Sequence, residues 1–198
     1  MAEIKRTYYE SGELKSECFM INGKMYDEYK HYYKNGQLWK IVTYIDGKMH
    51  GEYKEYYEDG ELQCICTYID DKENGVFKLY HPGSKQLWQI GVYIDGKLNG
   101  ECKTYYYNIY ELSLDDSNHE NMLTDTHGQL ESICTYINGE RNGEFKSYHE
   151  NGQLKNISFF KNGIMIENKI LEESIKDSIK DSMIPNYPIG ILEQLLIN

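Results

Sequence analysis

Alanine and arginine are nearly missing from this chain, with one Ala and two Arg among 198 residues, while Ile, Lys, Asn and Tyr are plentiful. That balance looks like coding from an AT-rich genome, a clue to origin and not to function. No apolar run approaches the roughly 18 residues of a membrane span, and Met1-Ala2-Glu3-Ile4-Lys5-Arg6 lacks the apolar core of a secretory signal. A cytoplasmic location is the expectation. Positive charge is also short: 21 basic against 32 acidic residues leave a net charge of −11 with His neutral. Such a chain repels phosphate backbones and anionic lipid over a Debye length, which argues against nucleic acid as a partner and disfavours membrane binding.

Recognisable catalytic chemistry is lacking as well. The glycines are spaced by a repeat and followed by strand-like segments, so none opens a helix in the manner of a phosphate-binding loop. His81 and His149 stand where Tyr33 and Tyr57 do, which makes them substituted aromatics instead of bases, and the other four His have no recurring nucleophile or carboxylate at a fixed offset. Cys18, Cys66 and Cys134 occupy the repeat position of Val42 and Gly91, and Cys102 replaces Tyr29, Tyr53 and Phe145, the behaviour of apolar fillers. Equivalent cysteines of neighbouring units lie about 9.6 Å apart, two strand spacings, too far for a disulfide. Cys64-Ile65-Cys66 has no His nearby, and five is an odd number for a disulfide framework. The expectation is free thiols, no metal, no cofactor and no catalytic residues.

What the chain does have is repetition. Tyr32 to Glu55 reads YYKNGQLWKIVTYIDGKMHGEYKE, and YYEDGELQCICTYIDDKENGVFKL follows from Tyr56, a period of 24 residues. Each unit runs aromatic pair, Asn-Gly turn, a segment such as Leu38 to Tyr44, Asp-Gly turn, and a segment such as Glu52 to Tyr57. The segments are about six or seven residues long and rich in Tyr, Ile, Val and Thr, which suits strands and is too short for an ordinary helix. Asn-Gly and Asp-Gly supply the positive φ that tight reversals require. The predicted fold is all-β: an elongated single-layer antiparallel meander of β-hairpin repeats, about six units and about twelve strands, extending roughly 55 Å.

Two strand registers emerge from the alignment. Leu14, Leu38, Leu62, Leu87, Leu130 and Leu154 are followed six residues later by Met20, Tyr44, Tyr68, Tyr93, Tyr136 and Phe160, with Cys18, Val42, Cys66, Gly91, Cys134 and Ser158 between them. Even offsets fall on one side of a strand, so all three columns are expected on one face. The alternate strands carry Glu28-Tyr29-Lys30, Glu52-Tyr53-Lys54, Val76-Phe77-Lys78, Glu101-Cys102-Lys103 and Glu144-Phe145-Lys146. Glu and Lys two apart share a face and predict a charge-compensated ladder.

These units, with YHENGQLKNISFFKNG near the C-terminal end, resemble MORN repeats, specifically the variant built on YYxNGxLxxxxxYxNGxxxGxxxxY. The likeness covers residues 3 to 163 and departs from the pattern at Asp27, which stands where Gly51, Gly75, Gly100 and Gly143 do. It implies a scaffold, a dimerisation element or a peptide-binding groove, since the family's units serve as all three. Some bacterial members are antitoxin-like. Similar arrays are plentiful in giant DNA viruses of amoebae, whose AT-rich coding matches the composition.

Residues 1–163 are thus read as the repeat array and residues 164–198 as a helical C-terminal cap. In the tail, Ile170, Leu171, Ile175, Ile179 and Met183 recur at helical spacing, Pro185 ends the helix and Pro188 opens a short second one. The fifth unit is interrupted by residues 107–127, an insertion with five acidic side chains and no Lys or Arg. A single sheet layer leaves both faces open, and twenty Tyr suit a surface that buries rings while keeping hydroxyls in water. The expected function is a non-enzymatic protein-interaction scaffold, with a homodimer as one form. Its aromatic face or groove, made by Tyr44, Tyr68, Tyr93 and Tyr136 together with Tyr29, Tyr53, Phe77 and Phe145, would take a protein or peptide. The alternatives are an antitoxin-like inhibitor or regulatory subunit of an enzyme complex, and a membrane-proximal adaptor.

Overall fold

The computed structural model describes residues 1–108 and 128–170, which form one open antiparallel sheet whose strands lie side by side in chain order. The strands are β1 (Ala2–Tyr8), β2 (Leu14–Ile21), β3 (Lys24–Tyr32), β4 (Leu38–Ile45), β5 (Lys48–Tyr56), β6 (Leu62–Ile69), β7 (Lys72–Glu73), β8 (Gly75–Tyr80), β9 (Leu87–Ile94), β10 (Lys97–Leu98), β11 (Gly100–Tyr105), β12 (Leu130–Ile137), β13 (Glu140–Tyr148), β14 (Leu154–Lys161) and β15 (Ile164–Ile170). Fifteen strands stand where about twelve were expected. Two of the extra ones are fragments: β7 and β10 are the leading pieces of strands interrupted at Asn74 and Asn99, and they pair with β6 and β9. Among the described residues there is no helix.

The two-residue turns follow from backbone chemistry. Asn22, Asp46, Asp95, Asn138 and Asn162 sit at φ 49–54°, and the glycine after each lies at φ 77–88°. Two successive positive φ angles define the hairpin turn whose twist matches that of the flanking strands. At the third such turn Asp70 and Asp71 do the same work at φ 49° and 67°, and the Asp71 carboxylate accepts a hydrogen bond from the Met49 amide at 2.8 Å.

Bulges decide which face each column occupies. Between His31 and Tyr32 the register slips by one residue: His31 faces Lys40 while Tyr32 faces Leu38, leaving Trp39 extra. The same slip recurs where Tyr8, Tyr56, Tyr80, Tyr105 and Tyr148 meet the Leu of the following strand. Tyr32 is two residues from Lys30 and one from His31, so it and Leu38 lie on the face of the Glu/Lys ladder. The expectation that the Leu column shares a face with Val42 and Tyr44 is therefore wrong, because counting by twos fails across a bulge. A second irregularity follows Val42, where one residue faces three before Tyr44 meets Met49. Gly51, Gly75, Gly100 and Gly143 adopt φ 84–111° at this point, and Asp27 adopts 69° in its own unit. Short polar Asp tolerates that left-handed region better than most side chains, which accounts for its departure from the glycine pattern.

Hydrogen bonds staple successive units along both rims. The second Tyr of each aromatic pair donates its hydroxyl to the carbonyl of the first Tyr in the next unit: Tyr9 to Tyr32, Tyr33 to Tyr56 and Tyr57 to Tyr80, at 2.7–2.9 Å. His81 makes the equivalent bond to the Tyr105 carbonyl through Nε2 at 3.1 Å, and Tyr106 reaches that of Tyr148 across the insertion. On the opposite rim, turn amides of Gly47, Asp71, Gly96, Gly139 and Gly163 bond carbonyls of the preceding unit.

The array does not stop at Gly163. Ile164–Ile170 forms β15 and pairs with β14, which moves the start of any helical cap beyond Ile170. The physical reason is the local repeat itself: Asn162-Gly163 makes another tight turn, and Glu167-Asn168-Lys169 continues the Glu-x-Lys ladder. The remainder of the predicted helical segment, residues 171–198, and most of the acidic insertion lie outside the described residues.

Candidate partner-binding face

A single register line carries small residues and rings alternately across the sheet. Cys18 faces Tyr29, Tyr29 faces Val42, Val42 faces Tyr53 and Tyr53 faces Cys66; beyond the middle, Cys134 faces Phe145 and Phe145 faces Ser158. Directly opposed residues project to the same side. The column of Tyr29, Tyr53, Phe77 and Phe145 therefore lies on one face with the small residues, and the column of Tyr44, Tyr68, Tyr93 and Tyr136 flanks it there. Ring centroids of Tyr29 and Tyr44 are 6.2 Å apart, those of Tyr53 and Tyr68 5.6 Å, and those of Phe77 and Tyr93 4.9 Å, tilted or edge-on as ring quadrupoles favour.

The rings lie over the small residues. Val42 is 2% exposed, Cys134 4%, Cys66 7% and Ser158 3%, burial that a bare single sheet cannot give. The anticipated trough between the columns is thus filled over these residues, and what the array offers there is a surface of ring edges and hydroxyls. Phe77, at 5% exposure, lies in the core cluster with Cys66 and Cys102, so its ring packs inward; the other seven candidate aromatics are half-buried. Gly91 makes room for it: a Cβ there would lie 2.7 Å from Phe77 Cε1.

Electrostatics reinforce the packing. Burial pushes the phenols of Tyr44, Tyr53, Tyr68 and Tyr93 above their ordinary range; for Tyr53 and Tyr68, donated bonds to Glu55 at 2.8 Å and Glu73 at 3.0 Å add to the effect. Three residues join this face that sequence counting did not place on it. Trp39, turned by its bulge, donates to Glu55 at 2.9 Å and stands 4.7 Å from the His31 ring, whose imidazole burial holds below its usual pKa. Arg141 places its guanidinium 5.1 Å from Phe145 and 5.4 Å from Phe160 and donates to Tyr136. The signal for Trp39 was its position next to Leu38 at the slip; Arg141 stands on β13 with Phe145, but its contacts with Tyr136 and Phe160 cross strands, which the linear pattern does not show.

The aromatic register line ends in polar residues. Lys5 faces Cys18 at one end, and Asn168 faces Ser158 at the other, accepting a 3.0 Å hydrogen bond from it. The opposite face carries the ladder: Lys30 with Glu28, Lys54 with Glu52, Lys103 with Glu101, Lys146 with Glu144 and Lys169 with Glu167. A hollow of about 340 Å³ near the N-terminal end is lined by Ile4, Glu17, Phe19, Glu28 and Lys30 among others, with Lys30 already bonded to Glu28 and Glu17 to Tyr32 and Arg6. Among the described residues, no group of three or more His, Cys, Asp and Glu is placed to hold a metal ion.

The geometry defines the class of protein as an open array of β-hairpin repeats. The MORN repeat variant is the family whose model matches, at residues 4–22, 28–46, 49–70 and 141–162. Each match covers about one repeat, and the chain is similar to that family in those stretches. Repeats of this kind are commonly protein-interaction or membrane-binding modules and are typically non-enzymatic. No curated protein matches the chain.

Proposed function

We propose that the chain is a non-enzymatic protein-interaction scaffold of the cytoplasm that receives a protein or peptide on its aromatic face. The observation that carries this reading is the continuity of that face: among the described residues, half-buried tyrosines recur along one side from Tyr29 to Tyr136. Tyr29, Tyr44, Tyr53, Tyr68, Tyr93, Tyr136 and Phe145 are the contacting residues, and Phe77 supports them from below. Half-exposed phenols provide contact area at little cost in side-chain entropy. Inhibition of a toxin-like enzyme and regulation of an enzyme complex are particular forms of this role, as is pairing with a second copy.

Isolation of bound proteins from the native host, followed by mass spectrometry, names the partner. Affinity for it should then fall in steps when Tyr68→Ala and Tyr93→Ala are introduced singly and together. Unchanged binding in both variants, with binding abolished by removal of residues 114–122, would overturn the proposal.

A membrane-proximal adaptor is the second reading, and a different feature favours it. Ile45, Ile69, Ile94 and Ile137 are 45–52% exposed in one line beside the tight turns of the charged face, and Lys48, Lys72 and Lys97 face the first three across their hairpins. Among the described residues no helix is long and apolar enough to cross a membrane. Sedimentation with anionic vesicles separates the two readings: the net charge of −11 predicts that the protein stays in the supernatant.

A further inference from the structure

Cysteines at equivalent repeat positions are too far apart to pair, but Cys102 and Cys134 are not equivalent. They belong to different strand types, β11 and β12, and are directly opposed in the ladder. Opposed residues of an antiparallel pair hold their Cα atoms about 4.5–5.5 Å apart with side chains on one face, inside the roughly 4.4–6.8 Å that a disulfide accepts. Both thiols are free and buried, at 6% and 4% exposure. Of the other three, the competing pair is Cys64 with Cys66, whose thiols are hydrogen-bonded to each other. Cys66 is three strands from Cys102, Cys18 lies near the far end, and Cys64 and Cys66 stand two residues apart on one strand, about 6.4–6.8 Å and thus at the limit of the window.

We propose that Cys102 and Cys134 form a redox modification site, a cross-strand thiol pair that a low-molecular-weight disulfide such as oxidised glutathione converts into a covalent clamp between β11 and β12. These are the two strands between which the acidic segment 107–127 departs and returns, so the clamp closes the base of that insertion. Local separation of the strands exposes one sulfur. Its thiolate attacks the small disulfide, forming a mixed disulfide and releasing one small thiol. The second thiolate then attacks the protein-bound sulfur of that mixed disulfide, the protein disulfide forms, and the second small thiol leaves. Two electrons pass from the protein sulfurs to the oxidant, and the two cysteine protons end on the two small thiols. Burial holds both thiols above their ordinary pKa, with the Arg141 charge opposing it, so the exchange is slow in the closed sheet and gated by opening.

The pair lies beneath the aromatic face, with Cys134 opposite Phe145 and Cys102 in the cluster with Phe77, and its test needs no partner. Its test is incubation of the native full-length chain with oxidised glutathione, followed by tryptic digestion without reductant. The expected product joins peptide 98–103, which carries Cys102, to peptide 104–141, which carries Cys134, and leaves three titratable thiols. The oxidised protein should melt about 5–10 °C higher than the reduced one, and Cys102→Ser and Cys134→Ser should each abolish both changes. Linkage of Cys64 to Cys66, linkage between two chains, glutathione adducts that never resolve, or five thiols unchanged after prolonged exposure would each overturn it. If a serine variant fails to fold, the wild-type peptide map still decides.

Discussion

The two faces of the sheet are built by the same strands and differ by a step of one residue, yet they hold the chain together in different ways. On the aromatic face, rings from neighbouring strands close over Val42, Cys66, Cys134 and Ser158 and make a core without a second layer. On the charged face, apart from Tyr80 and Leu87 beside the fourth unit's first turn, apolar side chains such as Ile45, Ile69 and Ile94 stay about half exposed, and the charges pair at the surface. A single layer can thus bury a core if long rings alternate with short residues along the register line. Dispersion and area burial concentrate where that alternation occurs, while solvated ion pairs contribute little.

The contrast can be broken most directly at Phe77. Phe77→Ala should cost about 3–5 kcal/mol in denaturant unfolding, as large-to-small changes at buried aromatics do; a loss under about 1 kcal/mol would mean that this face is no core. Alkali tests the same face without mutation. The phenols of Tyr44, Tyr53, Tyr68 and Tyr93 ionise less readily folded than unfolded, so stability is complete below the ordinary phenol pKa of about 10 and is lost as pH rises through and above it. Tyrosinate absorbance of the native protein should lag behind that of the urea-unfolded chain, and coincident curves would contradict the burial. Gly91→Ala is the sharper probe, since its Cβ meets the Phe77 ring: about 1–3 kcal/mol should be lost, with partial recovery in the Phe77→Leu background. The smallest effect belongs to the other face. Lys54→Gln breaks the pair with Glu52 and should change stability by less than about 0.5 kcal/mol. A loss equal to that of Gly91→Ala would erase the distinction between the faces.

The N-terminal edge and the C-terminal edge differ in how far they could be read. At the N-terminal edge, β1 runs directly into the aromatic pair Tyr8-Tyr9 that opens the first unit. β15 was equally written in Glu167-Asn168-Lys169, 23 residues after Glu144-Phe145-Lys146, but the Asn in place of a ring and the amphipathic stretch that follows drew the boundary too early. His81 was rightly placed as a stand-in for Tyr, because a ring N–H donates to the next unit's carbonyl as a phenol does.

By itself the sequence determined the period, the hairpin turns, the all-β antiparallel order and the sharing of one face by each Glu and its Lys. All of these depend on φ preferences and alternation within a few residues. Only the tertiary structure decided that the two aromatic columns merge on one side, that the Leu column lies on the other, and that Cys102 opposes Cys134. Those facts depend on register between strands. A bulge inserts a residue, reverses every side chain beyond it and moves the partner by one place, and its position is set by hydrogen bonding between chain segments that the linear pattern does not bring together.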